Sequence, residues 1–297
     1  MNSMHPTGPG ALRLIFPQWQ GAAGAGTVGS LPAGQPHQTL LSYHLGPPLL
    51  ELLSPLHDGP TAFVPVSTDT SDAAVETVDG IYARAAVLQQ LRQALEVIQD
   101  AAPETVVTFG GECSVSVAPF SHLAALYGGD LAVLWVDAHP DTGTPGDGYT
   151  GFRSMSLATL AGEGDEEFLA ALPAVVPPSN ILQIGLRDWQ DPGIGTKQRL
   201  GIRSVGITDT PEDTRRILEW LALTGATKLA VHVDLDVLDR RDFADTTGGG
   251  SRGVRVPDLL RIIDAVSDAG DIVGISLAQH APLELLRLGG LLRELPV

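Results

Sequence analysis

The chain has 297 residues, of which 43% are hydrophobic and 18% charged, enough apolar material for a sizeable buried core. Eighteen Lys and Arg against 35 Asp and Glu give a formal net charge of -17, which excludes a broad nucleic-acid footprint and an anionic membrane surface as partners. The single cysteine, Cys113, excludes an intramolecular disulfide and a Cys-rich zinc site; with no leader-like start and no membrane-length apolar run, a soluble cytoplasmic protein is expected.

Residues 1–10 are polar and turn-rich and are expected to form a flexible tail, and residues 23–36, rich in Gly, Ala and Pro, a long loop. No repeat or linker divides the chain, so one domain over 1–297 is expected. From residue 72 the pattern turns helical, with Leu88, Leu91, Leu95 and Ile98 spaced 3-4-3 in one apolar stripe. Short apolar, β-branched runs follow at 105–109, 131–136, 181–184, 202–205, 228–233 and 272–277. Helix-like stretches alternate with them at 114–127, 154–162, 210–224, 257–269 and 283–294. Near-continuous apolar runs suit strands covered on both faces. The expected fold class is therefore α/β, a three-layer domain whose mostly parallel sheet carries helices on both faces. Such sheets bind ligands outside the carboxyl ends of their strands.

Three polar clusters begin where apolar strands end: Gly110-Gly111-Glu112-Cys113-Ser114, Asp137-Ala138-His139-Pro140-Asp141 and Asp234-Leu235-Asp236-Val237-Leu238-Asp239. Asp137, His139 and Asp141 place three metal-competent groups within five residues, and Asp234 and Asp236 add two at alternate positions, pointing to one side. Four carboxylates and an imidazole make a hard, oxygen-rich site suited to Mn²⁺. Without a cation they would repel one another and raise their own pKa values. Capping of helices or turns is the structural alternative, and for Asp239 it stands level with ligation. Alternation turns His232 to the same side as Asp234, where a core histidine with satisfied hydrogen bonds is favoured over a support for the ligands.

The same clusters are similar to the GGDH, DAHxD and SxDxDxxDP motifs of the arginase/agmatinase (ureohydrolase) superfamily. The resemblance covers about residues 105 to 285. It includes Ile184-Gly185-Leu186-Arg187-Asp188, similar to IGxRD, and the run Val273–Pro282, similar to VGFDVVEVSP. It implies an arginase/deacetylase-like fold and a homo-oligomer, trimeric or hexameric. It also implies two Mn²⁺ ions about 3.5–4 Å apart whose bridging hydroxide attacks the guanidinium carbon of a small-molecule substrate, releasing urea or an analogue. Carried over, one metal site would use Asp137, His139, Asp234 and Asp236, and the other Asp137, Asp141, Asp234 and, in place of the family's histidine, Cys113. Asp141 would also orient the hydroxide.

Several positions depart from the family pattern. A thiolate at Cys113 suits Zn²⁺ or Fe²⁺ better than Mn²⁺, which leaves open a thiolate-ligated site, a weak site, or a single metal in the other site. Cys113–Ser116 and His232–Asp236 are similar to runs in the N-hydroxyarginine-cleaving branch. Arg153 stands at the family's flexible-loop histidine; it cannot shuttle protons but can clamp a carboxylate. Gln279 replaces the glutamate that pairs with the guanidinium, which suits a less basic N-hydroxyguanidino group. Gly143 stands at an asparagine of arginases, Asp191 follows an apparent one-residue insertion, and Thr246–Gly250 takes the place of a PGTGTP loop. His280 is a candidate for the pocket mouth. The expected function is thus metal-dependent hydrolysis of a linear C–N bond in an amidino or guanidino substrate, an N-hydroxyguanidino acid foremost, with Asp141, Gln279 and Arg153 as catalytic residues. The alternatives are a single-zinc, deacetylase-like amidohydrolase and a catalytically impaired member with a binding or regulatory role.

Overall fold

A computed structural model of the chain describes residues 10–22, 36–206, 211–243, 253–280 and 282. In chain order its elements are β1 (Ala11–Phe16), α1 (Pro36–Leu53), β2 (Thr61–Phe63), β3 (Thr77–Val78), β4 (Ile81–Tyr82), α2 (Arg84–Ala101), β5 (Thr105–Gly110), α3 (Val117–Tyr127) and β6 (Leu131–Val136). There follow α4 (Ser156–Leu160), α5 (Glu166–Ala171), β7 (Ile181–Ile184), α6 (Ile194–Leu200), β8 (Arg203–Val205), α7 (Pro211–Thr224), β9 (Lys228–Asp234), α8 (Val256–Ala269) and β10 (Asp271–Ala278). Eight strands form one sheet in the order β2-β1-β5-β10-β9-β6-β7-β8, every neighbouring pair parallel, while β3 and β4 pair apart from it.

Strand β6 shows why the sheet is sandwiched. Leu131, Val133 and Trp135 pack with Phe120 and Leu123 of α3 and with Leu157 and Leu160 of α4. The intervening Ala132, Leu134 and Val136 pack with Ile217 and Trp220 of α7 and with Ile262 and Val266 of α8. All six residues are buried, which is why the run is continuously apolar rather than alternating. The expected α/β class, a parallel sheet between helical layers, is the observed fold.

Two stretches differ from the sequence expectation. Residues 72–83 form turns and the β3–β4 hairpin, and the helix carrying the Leu88–Ile98 stripe starts at Arg84, because Asp79 and Gly80 take positive φ and break helical geometry. β1 and β2 were not expected. Arg13 interrupts the apolar run of β1, yet it is buried, its guanidinium reaching the Pro55 carbonyl at 3.0 Å and Glu51 at 3.7 Å. β2 is a three-residue edge strand, too short to carry a pattern. Residues 1–9 of the expected tail, residues 23–35 of the loop expected over 23–36 and the helix at 283–294 lie outside the described residues, and Pro36 begins α1.

Strand order places the site. β5 and β6 follow one another in the sheet-forming sequence, but β10 and β9 lie between them. The carboxyl ends of these four adjacent strands open together near the middle of the sheet, as ligand sites in open parallel sheets do. Gly185, directly after β7, fixes one wall of this opening. Its φ is +87°, and a Cβ there would meet Val237 Cγ2 at 2.7 Å and Val254 Cγ2 at 3.2 Å, pushing on the segment next to Asp236. Gly185→Ala is expected to destabilise the protein by about 2–4 kcal/mol in denaturant unfolding. Gly195→Ala, inside α6 and facing open space, should be neutral or stabilising by up to about 1 kcal/mol.

Candidate metal centre

The chain leaves β5 into Glu112 and Cys113, β6 into Asp137–Asp141, β9 into Asp234–Asp236 and β10 into Gln279. Cys113, Asp137, Asp141, Asp234, Asp236 and Gln279 are all buried, and His139 is half-buried. One ligand atom from each of Asp137, His139, Asp234 and Asp236 falls within 4.8 Å of the others, and the same holds for Cys113, Asp137, Asp141 and His232. Asp137 belongs to both groups. The first group is the set expected for one metal. The second differs from the expected set in bringing in His232, while Asp234 Oδ2 accepts a hydrogen bond from Cys113 Sγ at 3.1 Å.

Local backbone geometry aims these groups. Asp137 Oδ1 accepts from the His139 amide at 2.8 Å, and its Oδ2 from Trp135 Nε1 at 3.2 Å. Asp234 Oδ1 caps the turn after β9 by accepting from the Asp236 amide at 2.6 Å. Gln183 of β7 holds the Pro140 carbonyl at 2.6 Å, and Arg187 clamps the carbonyls of Asp236 and Val237 at 2.8 and 2.9 Å. Asp141 and Gln279 both sit at positive φ, 48° and 65°. A non-glycine residue there costs about 1–2 kcal/mol. The Asp141 carbonyl accepts from the Leu157 and Ala158 amides, and the Gln279 amide donates to Gly111, so the surrounding structure enforces both conformations.

The electrostatics are those of carboxylates gathered away from water. Burial, then the charges of Asp137 and Asp234, hold the Asp141 carboxyl well above the ordinary range. Burial and the neighbouring Asp236 and Asp137 do the same to Asp234, and burial also raises Asp236. Burial opposes charge on His139, but its hydrogen bond to Asp137 and the charges of Asp236, Asp137 and Asp234 outweigh it and lift the imidazole to about 10. For Asp137 burial is likewise outweighed, chiefly by His139, and its carboxyl falls to about 2. Burial and the same aspartates keep the Cys113 thiol protonated. Protons thus balance the charge that divalent ions would otherwise supply.

Three buried polar atoms at this site, Asp236 Oδ1, Gln279 Oε1 and His232 Nε2, have no protein hydrogen-bond partner. Each such atom costs about 1–3 kcal/mol unless something satisfies it, so the residues fit a bound ion and a polar substrate. His232 is therefore not the satisfied core histidine the sequence favoured. Its Nδ1 lies 2.8 Å from Ser116 Oγ and its ring stacks on Trp135, but Nε2 is left over. Alternation showed which side it faces; only the fold shows that Nε2 has no protein partner.

The remaining candidates sort by contact. Gln279 is brought in, its Nε2 3.6 Å from Cys113 Sγ. Arg153 is half-buried, its guanidinium 5.5 Å from the centre of the Tyr149 ring. Asp191 Oδ1 caps the turn at Gly193, and Thr142 Oγ1 donates to the Gly193 carbonyl, so this turn packs on the loop holding Gly143. Asp239 takes the capping alternative, accepting from the Arg241 amide and guanidinium. His280 packs near Phe243, with ring centres 6.4 Å apart. Thr246–Gly250 lies outside the described residues.

With this geometry in hand, comparison with known proteins gives a consistent result. The profile of the arginase family matches residues 57–284. An arginase of Staphylococcus aureus is 33% identical over 189 residues, 60% of this chain and 60% of that protein, and one of Coccidioides posadasii is 30% identical over 214 residues, 67% and 65%. The matched region thus spans about 60% of the length of the staphylococcal relative. Among solved structures, Entamoeba histolytica arginase in complex with L-ornithine superposes with a TM-score of 0.72 at 16% identity, covering 92% of both chains. Proclavaminate amidino hydrolase from Streptomyces clavuligerus gives 0.62 at 19% identity, over 94% of this chain and 86% of that one. At these identities the structural likeness is one of fold. Among the described residues no helix is long and apolar enough to cross a membrane.

Because Asp141, Asp234, Asp236 and His139 all hold protons more tightly than usual in the metal-free protein, ions must displace them. Metal affinity should therefore rise with pH, by at least about tenfold per unit around neutrality. Calorimetric Mn²⁺ titrations in buffers of different ionisation enthalpy should show net proton release. A pH-independent affinity would contradict the assignment.

Proposed function

The chain belongs to the arginase family, and on that premise we propose that it hydrolyses a linear C–N bond in an amidino or guanidino substrate with the help of divalent ions, an N-hydroxyguanidino acid being the substrate we favour. The observation that carries this reading is the convergence of four strand ends on buried Asp137, Asp141, Asp234 and Asp236, with orphaned polar atoms among them. Asp137, His139, Asp234 and Asp236 would hold one ion, and Cys113, Asp137, Asp141 and Asp234 surround the place for the other. Ions bound there supply Lewis acidity that brings the pKa of water toward neutrality.

The protein's own groups divide the remaining work. Asp141 lies against Asp137 and Ser156, and in this reading one of its oxygens would hold the proton lost by water and return it to the leaving nitrogen. Gln279 offers Oε1 to a substrate N–H but no charge, which matches an N-hydroxyguanidine better than a fully charged guanidinium. Arg153, fixed in its charged form, serves as a clamp for a substrate carboxylate rather than a proton carrier. We take the working protein to be a homo-oligomer using Mn²⁺, with zinc as the alternative.

A second reading draws on the thiol of Cys113, which burial and nearby aspartates keep neutral. It has one ion, held by Asp137, His139, Asp234 and Asp236, and either amide chemistry or no catalysis. The two readings part on one assay. Protein loaded with Mn²⁺ or with Zn²⁺ is offered N-hydroxy-L-arginine, L-arginine and agmatine, and release of hydroxyurea or urea is measured before and after chelation. Chelator-sensitive turnover with the N-hydroxy substrate preferred is expected, and Gln279→Glu should shift preference toward L-arginine by about tenfold. Absence of turnover on all three with two ions bound would remove the amidinohydrolase reading.

A further inference from the structure

Position 113 lacks the histidine of the ureohydrolase pattern, and position 232 carries a histidine where that pattern has serine. The two positions lie on different strands, yet Cys113 Sγ and a ring nitrogen of His232 fall, with oxygens of Asp137 and Asp141, inside one 4.8 Å cluster. In the parallel register His232 of β9 sits beside Trp135 of β6 and Ser276 of β10. Its ring lies 3.8 Å from the Trp135 indole at 23°, which fixes the imidazole plane. Ser116 Oγ is 2.8 Å from Nδ1 and 2.7 Å from Ser276 Oγ. When Ser116 donates to Ser276 it accepts Nδ1–H, and the lone pair is left on Nε2. This is the arrangement of metal-binding histidines, whose other ring nitrogen donates to an oxygen. Nε2 is buried and has no protein partner.

We propose that His232 supplies the imidazole missing at position 113, so that one ion is held by Cys113 Sγ, His232 Nε2, Asp137 and Asp141 and is of the zinc class. The reading rests on the cluster being a metal centre. One sulfur, one nitrogen and two oxygens make a borderline-soft, four-ligand set that favours Zn²⁺ over Mn²⁺, whereas Asp137, His139, Asp234 and Asp236 remain a harder set. The two halves of the centre would then differ in metal preference.

The test is metal stoichiometry by elemental mass spectrometry after loading with Zn²⁺ or Mn²⁺ and desalting. Wild type is expected to keep two Zn²⁺ per chain but about one Mn²⁺. His232→Ser should keep one Zn²⁺. The double variant Cys113→His/His232→Ser, which moves the imidazole back, should regain a second ion and now accept Mn²⁺ there. Two Zn²⁺ retained by His232→Ser would overturn the proposal. Should that variant fail to fold, zinc X-ray absorption on His139→Asn protein decides, because His232 is then the only imidazole in either ligand group. One sulfur and one imidazole are expected in the zinc shell; their absence overturns it. Hydrolysis plays no part in these readouts, so loss of the amidinohydrolase reading would leave this proposal standing, and the reverse.

Discussion

Four carboxylates in a space that excludes water are the constraint around which this molecule is arranged. Each is buried, and neighbouring carboxylates raise one another's affinity for protons; a proton shared toward Asp141 and a charged His139 are how the metal-free protein tolerates them. A sequence selected for stability alone would replace such a cluster with apolar residues. A cation bound among the carboxylates, as proposed, would offset the cost of keeping them in the middle of a well-packed sheet.

The scaffold meets that constraint through topology. Inserting β10 and β9 between β5 and β6 brings four strand ends side by side, so that side chains separated by more than a hundred residues, such as Cys113 and Asp234, meet without a long loop. Backbone amides, Arg187 and Gln183 hold the carboxylates from behind. The positive φ of Asp141 and of Gln279 marks the two places where the backbone is strained to aim a side chain, an expense characteristic of functional sites. In the proposed function, Arg153 and Gln279 are the residues that would turn the site away from a fully charged guanidinium.

The central strands were legible because burial on both faces leaves continuous apolar runs: the run over 131–136 is β6 residue for residue. That Asp137, His139 and Asp141 gather at one strand end was legible for the same reason, since they directly follow such a run. β1 was hidden by Arg13, whose buried charge depends on a carbonyl 42 residues away. The state of His232 was hidden more deeply. Whether a buried imidazole is satisfied depends on Ser116, Trp135 and Ser276, which come from three other parts of the chain and meet only in the fold. Asp239 looked like the acids beside it and proved to be a cap, because Arg241 two residues later claims both its oxygens.

The claim that this cluster is a metal centre is tested most directly by anomalous diffraction from crystals grown with Mn²⁺ and Zn²⁺, recorded at both absorption edges. The account predicts anomalous peaks among Asp137, Asp141, Asp234 and Asp236, one of them beside Cys113. An ordered structure with water alone between these carboxylates at saturating metal would contradict it.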